Sequence, residues 1–482
     1  MNKHLEQTGH FIHGSEVAPA SNAWLENIDP ATGKCIGMSA RGNAEDIARA
    51  VESAQKGLKD WSVLQPYQRG QRLQKLAGIL RANLEPMALV ETMDCGHPLT
   101  RTRRDVEAAA RFFEFYSGSA DKIYGEVIPA TNSNLVYTLR EPYGVTGQII
   151  PWNAPLNQLA RGVAPSLAAG NVVIAKPAEE TPGSALMLAK MAIEAGIPAG
   201  VLNVVTGLGN EAGRALVDHP LVRKITFTGS VETGKLILTQ AAQRIIPVTA
   251  ELGGKSPFIV FADADLEAAA VSAVPALMQL SGQTCSAGSR LLVQQSVLKP
   301  FVDKLVARIR SDITIGPGID DRTIGPLISR QQMERVLHYI DEGLREGATL
   351  AVGGKRLTDG PLAQGWFVEP TLFTEVTPEM RIAREEIFGP IGAVIGFDTE
   401  EDAVRIANDS EYGLVAGIWS GDFARAHRVA KQLECGQIYI NNYRDVGMEA
   451  PFGGYKASGI GRERGLEALK YYTQLKTIIV RT

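Results

Sequence analysis

Cysteine is scarce in this 482-residue chain: there are 4, at positions 35, 95, 285 and 435, with no C-x-x-C pair among them. That scatter argues against a disulfide framework and fits a reducing compartment. A dominant charge sign is also lacking. With 49 Lys and Arg against 53 Asp and Glu, the formal net charge of -4 offers no global attraction to nucleic acid or to an anionic membrane. No apolar run approaches the roughly 18 residues of a membrane span, and the opening "MNKHLEQTGHFIHG" lacks the apolar stretch of a signal peptide. A cytoplasmic protein acting on a small molecule is expected, with no nucleic-acid or membrane partner. Metal ligands are sparse as well. His10 and His13 lie close together, but no further Cys or His stands near them, so no metal site is expected.

What is present is 45% hydrophobic sequence, enough for a large core, and a length that at roughly 150 residues per domain suggests two or three domains. The first 120 residues read mainly as helices, with apolar residues at helical spacing in "AEDIARAVESAQKGLKDW" and "QRGQRLQKLAGILRANL". The cluster "RTRRD" at 101–105 reads as a solvated helix face. From Gly144 the pattern alternates between short β-rich runs ("VTGQIIP", "NVVIAKP", "VLNVVTG", "RKITFTG", "IPVTAEL") and helical stretches, which argues for a parallel sheet covered on both faces. A second such series follows Gly253, with "SPFIVF", "SRLLVQ", "GLVAGIWS" and "GQIYINN" as strands. The expected fold class is therefore α/β with two such domains. The stretch "VIPATNSNLVYTLREPYG" reads as a hairpin outside both. The terminal "LKTIIVRT" reads as a strand in need of a partner.

Ligands of open α/β sheets collect at strand ends, where helix N-termini and loop amides converge. Three such ends follow one another here. Lys176 and Glu179 follow "VVIA", and a carboxylate there could accept both ribose hydroxyls while repelling a phosphate. "TGLGNEAG" follows next, with Gly209 and Gly213 but not the six-residue dinucleotide fingerprint. Then come Thr228, Gly229 and Ser230, opening a helix. Each alone is equally a turn or a helix cap, but three in consecutive units point to a dinucleotide site. In "GQTCSAGSR", Cys285 has glycines three positions away on either side, which leaves room for close approach to the thiol. Glu251 ends a strand before a glycine pair, and Asn153 ends the first strand of the series. Together they supply a nucleophile, a base and an amide donor for one cleft.

The ordered set "PWN", "KPAEE", "FTGS", "ELGGKSP", "GQTCSAGSR", "EEIFGP" and "PFGGYKASGIGRERG" resembles the aldehyde dehydrogenase superfamily from about residue 10 to the C-terminus. The resemblance implies NAD(P)-dependent oxidation of an aldehyde to a carboxylic acid, with Cys285 as nucleophile, Glu251 as base for the hydrolytic water and Asn153 in the oxyanion hole. It further implies a Rossmann-type cofactor domain over 1–120 and 143–252, a catalytic domain over 253–467, and a β oligomerisation element from 121–142 and 468–482. That element is expected to pair with another subunit in a homodimer or homotetramer. By the same resemblance, Lys176 and Glu179 contact the adenosine ribose, Ser230 the pyrophosphate, and Glu386 with Phe388 the nicotinamide ribose. Around these, Ile150, Pro151, Trp152, Gly209, Gly213, Phe227, Thr228, Gly229, Leu252 and Gly253 complete the cofactor set. Glu179 favours NAD, with NADP as the alternative. Substrate-side positions are Ala154, Asn157, Arg161, Gln279, Arg444, Val446 and Phe452, more polar than the tunnel of enzymes for simple alkanals. Arg161 or Arg444 is expected to bind an anionic or hydroxylated group, unless both form surface ion pairs.

Three competitors stand beside this reading. A CoA-acylating semialdehyde dehydrogenase would typically lack the base that Glu251 supplies. A cysteine hydrolase would pair its thiol with His, and none of the 7 histidines lies in a motif beside Cys285. A non-catalytic descendant would have had no need to retain Cys285, Glu251 and Asn153 together.

Overall fold

The computed structural model describes residues 7–482. Its first sheet is built on five parallel strands, all buried: Val145–Ile149, Val172–Lys176, Leu202–Val204, Lys224–Thr228 and Val248–Glu251. The first of these in sequence lies in the middle. It has Val172–Lys176 on one side and Lys224–Thr228 on the other, so the winding direction reverses at its C-terminal end. That reversal opens a crevice at the end of a doubly wound sheet, and the loop carrying Asn153 runs through it. Four helices, Ala44–Ser62, Pro66–Ala82, Leu84–Cys95 and Leu99–Ser117, precede the sheet, as their apolar spacing predicts. Asn43 starts the first with a capping box, its side chain accepting from the Asp46 N–H.

The second sheet runs in the order Thr349–Val352, Thr371–Thr374, Ile391–Phe397, Arg290–Gln294, Pro257–Val260, Val415–Trp419, Gln437–Ile440, parallel except at its first strand. Each sheet has its own apolar cores, one for the first unit and two on the second.

Several sequence expectations need adjustment. Residues 7–40 are not helical: His10–Ile12 and Ser15–Val17 extend the first sheet, and Trp24–Asp29 pairs with Lys34–Ala40 as a separate hairpin. Cys35 lies in the second strand of that hairpin. These strands are short and mix polar with apolar residues, so their alternation is faint. Gly459–Ile460, within the 253–467 segment, joins the first sheet antiparallel to Val248–Glu251. Only part of "RTRRD" is solvated, because Thr102 and Asp105 are buried and Arg101 reaches back to Asp105 at 2.8 and 2.9 Å.

The hairpin Val127–Thr131 and Asn134–Pro142 forms as expected, but the partner of the terminal strand lies in the same chain. Thr473–Arg481 pairs antiparallel with Asn134–Pro142 along its whole length. One side of the terminal strand is thus paired within the chain, and the free edges of this three-stranded sheet are its other side and Val127–Thr131. Truncation after Tyr472 removes that nine-residue strand and bares the edge of Asn134–Pro142. The shortened chain is expected to aggregate on size exclusion and to melt earlier; an unchanged profile and melt would contradict this.

Candidate active site

A cavity of about 1050 Å³ opens where the C-terminal ends of the first sheet's strands face the N-terminal ends of the second's. The first sheet contributes Pro151, Trp152 and Asn153 after its central strand, Thr228, Gly229 and Ser230 after the next, and Glu251, Leu252 and Gly253 after the last. Cys285, Glu386 and Phe388 wall it from loops that precede strands of the second sheet. The three proposed catalytic side chains thus share one cavity although 132 residues of chain separate Asn153 from Cys285.

Glycine explains how the thiol comes so close to the rest. Leu280, Ser281 and Gly282 form a turn of left-handed residues (φ 56°, 55° and 72°), and a Cβ on Gly282 would lie 2.0 Å from the Gly389 carbonyl oxygen. The pair in "ELGGKSP" serves the same end. A Cβ on Gly253 would meet the Glu386 carboxylate at 2.2 Å, and one on Gly254 the Cys285 carbonyl at 2.5 Å.

Asn153 is held from both ends. Its amide nitrogen donates to the Gln283 carbonyl at 3.0 Å, which leaves a second N–H available. Its own carbonyl accepts from His97 Nε2 at 2.9 Å, so that nitrogen carries the proton. Burial pushes His97 down to about 4, the hydrogen bond to Asn153 opposing it, and the ring is neutral. Glu251 is 2% exposed, and neither carboxylate oxygen has a hydrogen-bond partner among the described residues. Burial raises its pKa well above the carboxylate range. Glu463 reinforces the rise, while Arg161, Arg462 and Arg464 oppose it. The Cys285 thiol is pushed up to about 11, chiefly by burial, with Glu386 and Glu251 adding to the shift and Arg161 and Arg444 countering it. Both groups rest in their neutral forms.

On the cofactor side, Ser230 caps the helix Val231–Ala242 by accepting from the Thr233 N–H at 3.1 Å. Glu386 accepts from the Gly254 N–H at 3.0 Å, and burial lifts it to about 7. Trp152 meets Phe388 edge-on at 5.2 Å. Lys176 is buried and ion-paired with Glu179 at 3.0 Å; it is Glu180, lifted to about 7 by burial and then by Glu179, that lines the cavity. Gly213 lies against Lys176 at the end of a π-helical turn that begins at Gly209, while Ile150 and Phe227 are buried behind the wall. The sequence reads as a helix over Arg330–Arg345, as found, but its part in the site was missed. Its Gln332 donates to the carbonyls of Ile387 and Phe388 (3.1 and 2.8 Å), and Arg335 donates to that of Glu386 (2.8 Å), bracing the "EEIFGP" loop. The sequence shows only an amphipathic helix there, with no sign of what its polar face meets.

The substrate-side residues divide. Arg161 is 3% exposed and ion-paired with Glu463, so its charge is already answered, though in the interior rather than at the surface. Arg444 donates to Gln279 at 2.7 Å and to Thr284 at 3.1 Å. Phe452 joins Leu414, Val415 and Tyr439 in an apolar cluster against which Cys285 and Val446 pack. Ala154 is buried, and Asn157 reaches Asp105 at 3.5 Å. His10 and His13 bond to Thr206 and Ser53. Among the described residues no group of three or more His, Cys, Asp or Glu side chains is placed to hold a metal ion, and no helix is long and apolar enough to cross a membrane.

A doubly wound sheet with a cleft of dinucleotide size, closed by a second α/β unit that presents a half-buried thiol, defines an α/β protein of the dinucleotide-binding type. The chain belongs to the aldehyde dehydrogenase family, whose model matches residues 17–478. Solved structures agree. A Burkholderia cenocepacia protein assigned as an aldehyde dehydrogenase is 46% identical over 98% of this chain and 99% of its own, with a TM-score of 0.96. The Pseudomonas syringae (P. syringae) indole-3-acetaldehyde dehydrogenase AldA, in complex with NAD+ and IAA, is 41% identical over 100% and 98%, with a TM-score of 0.97. An NAD+ complex of a Bacillus cereus aldehyde dehydrogenase is 42% identical over 99% and 97%, with a TM-score of 0.96.

Two outcomes follow from the site's electrostatics and packing. Alkylation of Cys285 by iodoacetamide in the cofactor-free protein, followed by peptide mapping, is expected to accelerate about tenfold per pH unit up to about 11; a plateau near pH 8 would refute the desolvated thiol. Gly282→Ala is expected to lower activity at least about tenfold, because the added methyl displaces the Gly389 loop.

Proposed function

We propose that this protein oxidises an aldehyde to its carboxylic acid with NAD, through a covalent intermediate on Cys285. The observation that carries this reading is Glu251, a buried carboxylate with no partner, in the same cavity as the thiol. Deprotonated Cys285 adds to the carbonyl carbon. The resulting alkoxide is met by the spare N–H of Asn153 and by the Cys285 backbone N–H; a donor so placed is worth about 3 to 4 kcal/mol. The cleft fits a dinucleotide: Ser230 and its helix N-terminus suit a pyrophosphate, Glu386 a ribose beside the reacting carbon, and the Gly253–Glu386 approach leaves no room for a side chain. NAD, when bound, supplies the two-electron oxidant that takes the thiohemiacetal carbon to the thioester level. Glu251, ionised against its burial, then removes a proton from water, water attacks the thioester carbon, and the C–S bond breaks to release acid and thiol.

Glu180 lines the cavity at the end expected for the adenosine ribose, beside the Lys176–Glu179 pair. A carboxylate there disfavours a 2′-phosphate, which supports NAD over NADP. Four free cysteines, each unpaired, fit a cytoplasmic enzyme. Leu475, Ile479 and Val127 expose apolar surface on the three-stranded sheet, which supports a homodimer or homotetramer built through that element.

With Glu251→Gln, mixing with aldehyde and NAD is expected to give one equivalent of NADH in a burst and then almost no turnover. Steady-state NADH formation at the wild-type rate would remove Glu251 from the hydrolytic step. A higher kcat/KM with NADP than with NAD would remove the cofactor preference.

A further inference from the structure

Opposite the cofactor cavity, the thiol backs onto a wall of Leu414, Val415, Tyr439 and Phe452, with Tyr443 and Val446 beside it. Two guanidiniums stand at this wall with no ion pair among the described residues. Arg444 has its terminal nitrogens on neutral oxygens of Gln279 and Thr284, its Nε is buried and unpartnered, and it forms no ion pair among the described residues. Arg464 lies 4.9 Å over the Phe452 ring; it too has a buried, unpartnered Nε and neither an ion pair nor a side-chain hydrogen bond among the described residues. Both sit at left-handed backbone angles, φ 67° and 61°, which non-glycine residues adopt only where the surroundings compel it. The nearest acid, Glu463, is taken by Arg161. Buried cations without anions are unfavourable unless something else neutralises them. Both retain partial exposure next to Cys285, whose thiol feels each of them or its neighbours.

We infer that Arg444 and Arg464 form a receptor for a carboxylate on the substrate, so that the preferred substrate is an aldehyde carrying a carboxylate at its far end. This inference rests on the aldehyde-oxidising reading above and adds the charge of the substrate to it. The guanidinium fork suits a carboxylate bidentately, the aromatic wall accommodates the spacer, and the aldehyde is left facing Cys285. Arg161, already neutralised by Glu463, has no part in the recognition.

The test is kcat/KM with NAD for 4-carboxybenzaldehyde against 4-methylbenzaldehyde, and for 4-oxobutanoate against butanal. The carboxylated member of at least one pair is expected to be preferred by about tenfold or more, mainly through KM. Arg444→Gln and Arg464→Gln are each expected to bring that ratio toward one by raising KM for the carboxylated aldehyde, and Arg464→Lys to recover part of it. Equal or better turnover of the neutral member in both pairs, or variants that keep the ratio, would overturn the inference and leave the oxidoreductase reading standing. Absence of NADH with all four aldehydes is a different failure, that of the oxidoreductase reading and of the inference with it. Should either variant fail to fold, calorimetric titration of the wild-type protein with terephthalate and 4-methylbenzoate decides. Tighter binding of the diacid supports the receptor, and equal binding of the two acids rejects it.

Discussion

Desolvation of Glu251 is the constraint around which this molecule is arranged. A carboxylate without a hydrogen bond in the protein interior is unfavourable in its charged form, so the group rests protonated and becomes a strong base once ionised. Nothing in its own chemistry keeps it there; the sheet does. Its strand is paired on one side with Lys224–Thr228 and on the other with Gly459–Ile460, so the position of the carboxylate is fixed by backbone hydrogen bonds before any side-chain contact is made. The thiol shares the desolvated cleft and rises with it, with Glu251 adding to the shift.

The loops around this pair owe their shape to close backbone contact rather than to bulk. Gly253 and Gly254 let the Glu386 carboxylate and the Cys285 carbonyl lie where side chains would otherwise be, and Gly282 lets the nucleophile loop touch the "EEIFGP" loop. Rigid elements then hold these loops from outside. His97, beyond the C-terminal end of one helix, grips the Asn153 carbonyl, while Gln332 and Arg335 of another grip three successive carbonyls at 386–388. Hydrogen bonds to main chain set the direction of a loop without adding a charge to the cleft, which matters where two acids are already destabilised by burial.

Charge is partitioned on either side of the thiol. The cofactor face carries Glu180 and Glu386, both lifted to about 7 by burial, whereas the apolar wall on the other side carries Arg444 and Arg464, neither in an ion pair among the described residues. One buried pair, Arg161 with Glu463, separates the two fields directly behind Glu251.

Much of this was legible in the sequence because it is encoded locally. Strand alternation after Gly144 marked the parallel sheets, the spacing of small residues marked the loops, and the ordered motifs marked Cys285, Glu251 and Asn153, which meet in one cavity. What escaped was set by contacts between distant segments. The early hairpins are too short and polar to show a period, the terminal strand's partner in its own chain could not be distinguished from one in a neighbour, and the polar face of Arg330–Arg345 carries no mark of the loop it braces. Arg161 and Arg444 looked equivalent on the page, yet one is neutralised by Glu463 and the other is not. The sequence by itself determined which side chains are able to do chemistry, since that depends on residue type and local backbone freedom. Only the tertiary structure decided which charges are paired and which are left desolvated and alone, because pairing and desolvation depend on whatever folding brings alongside.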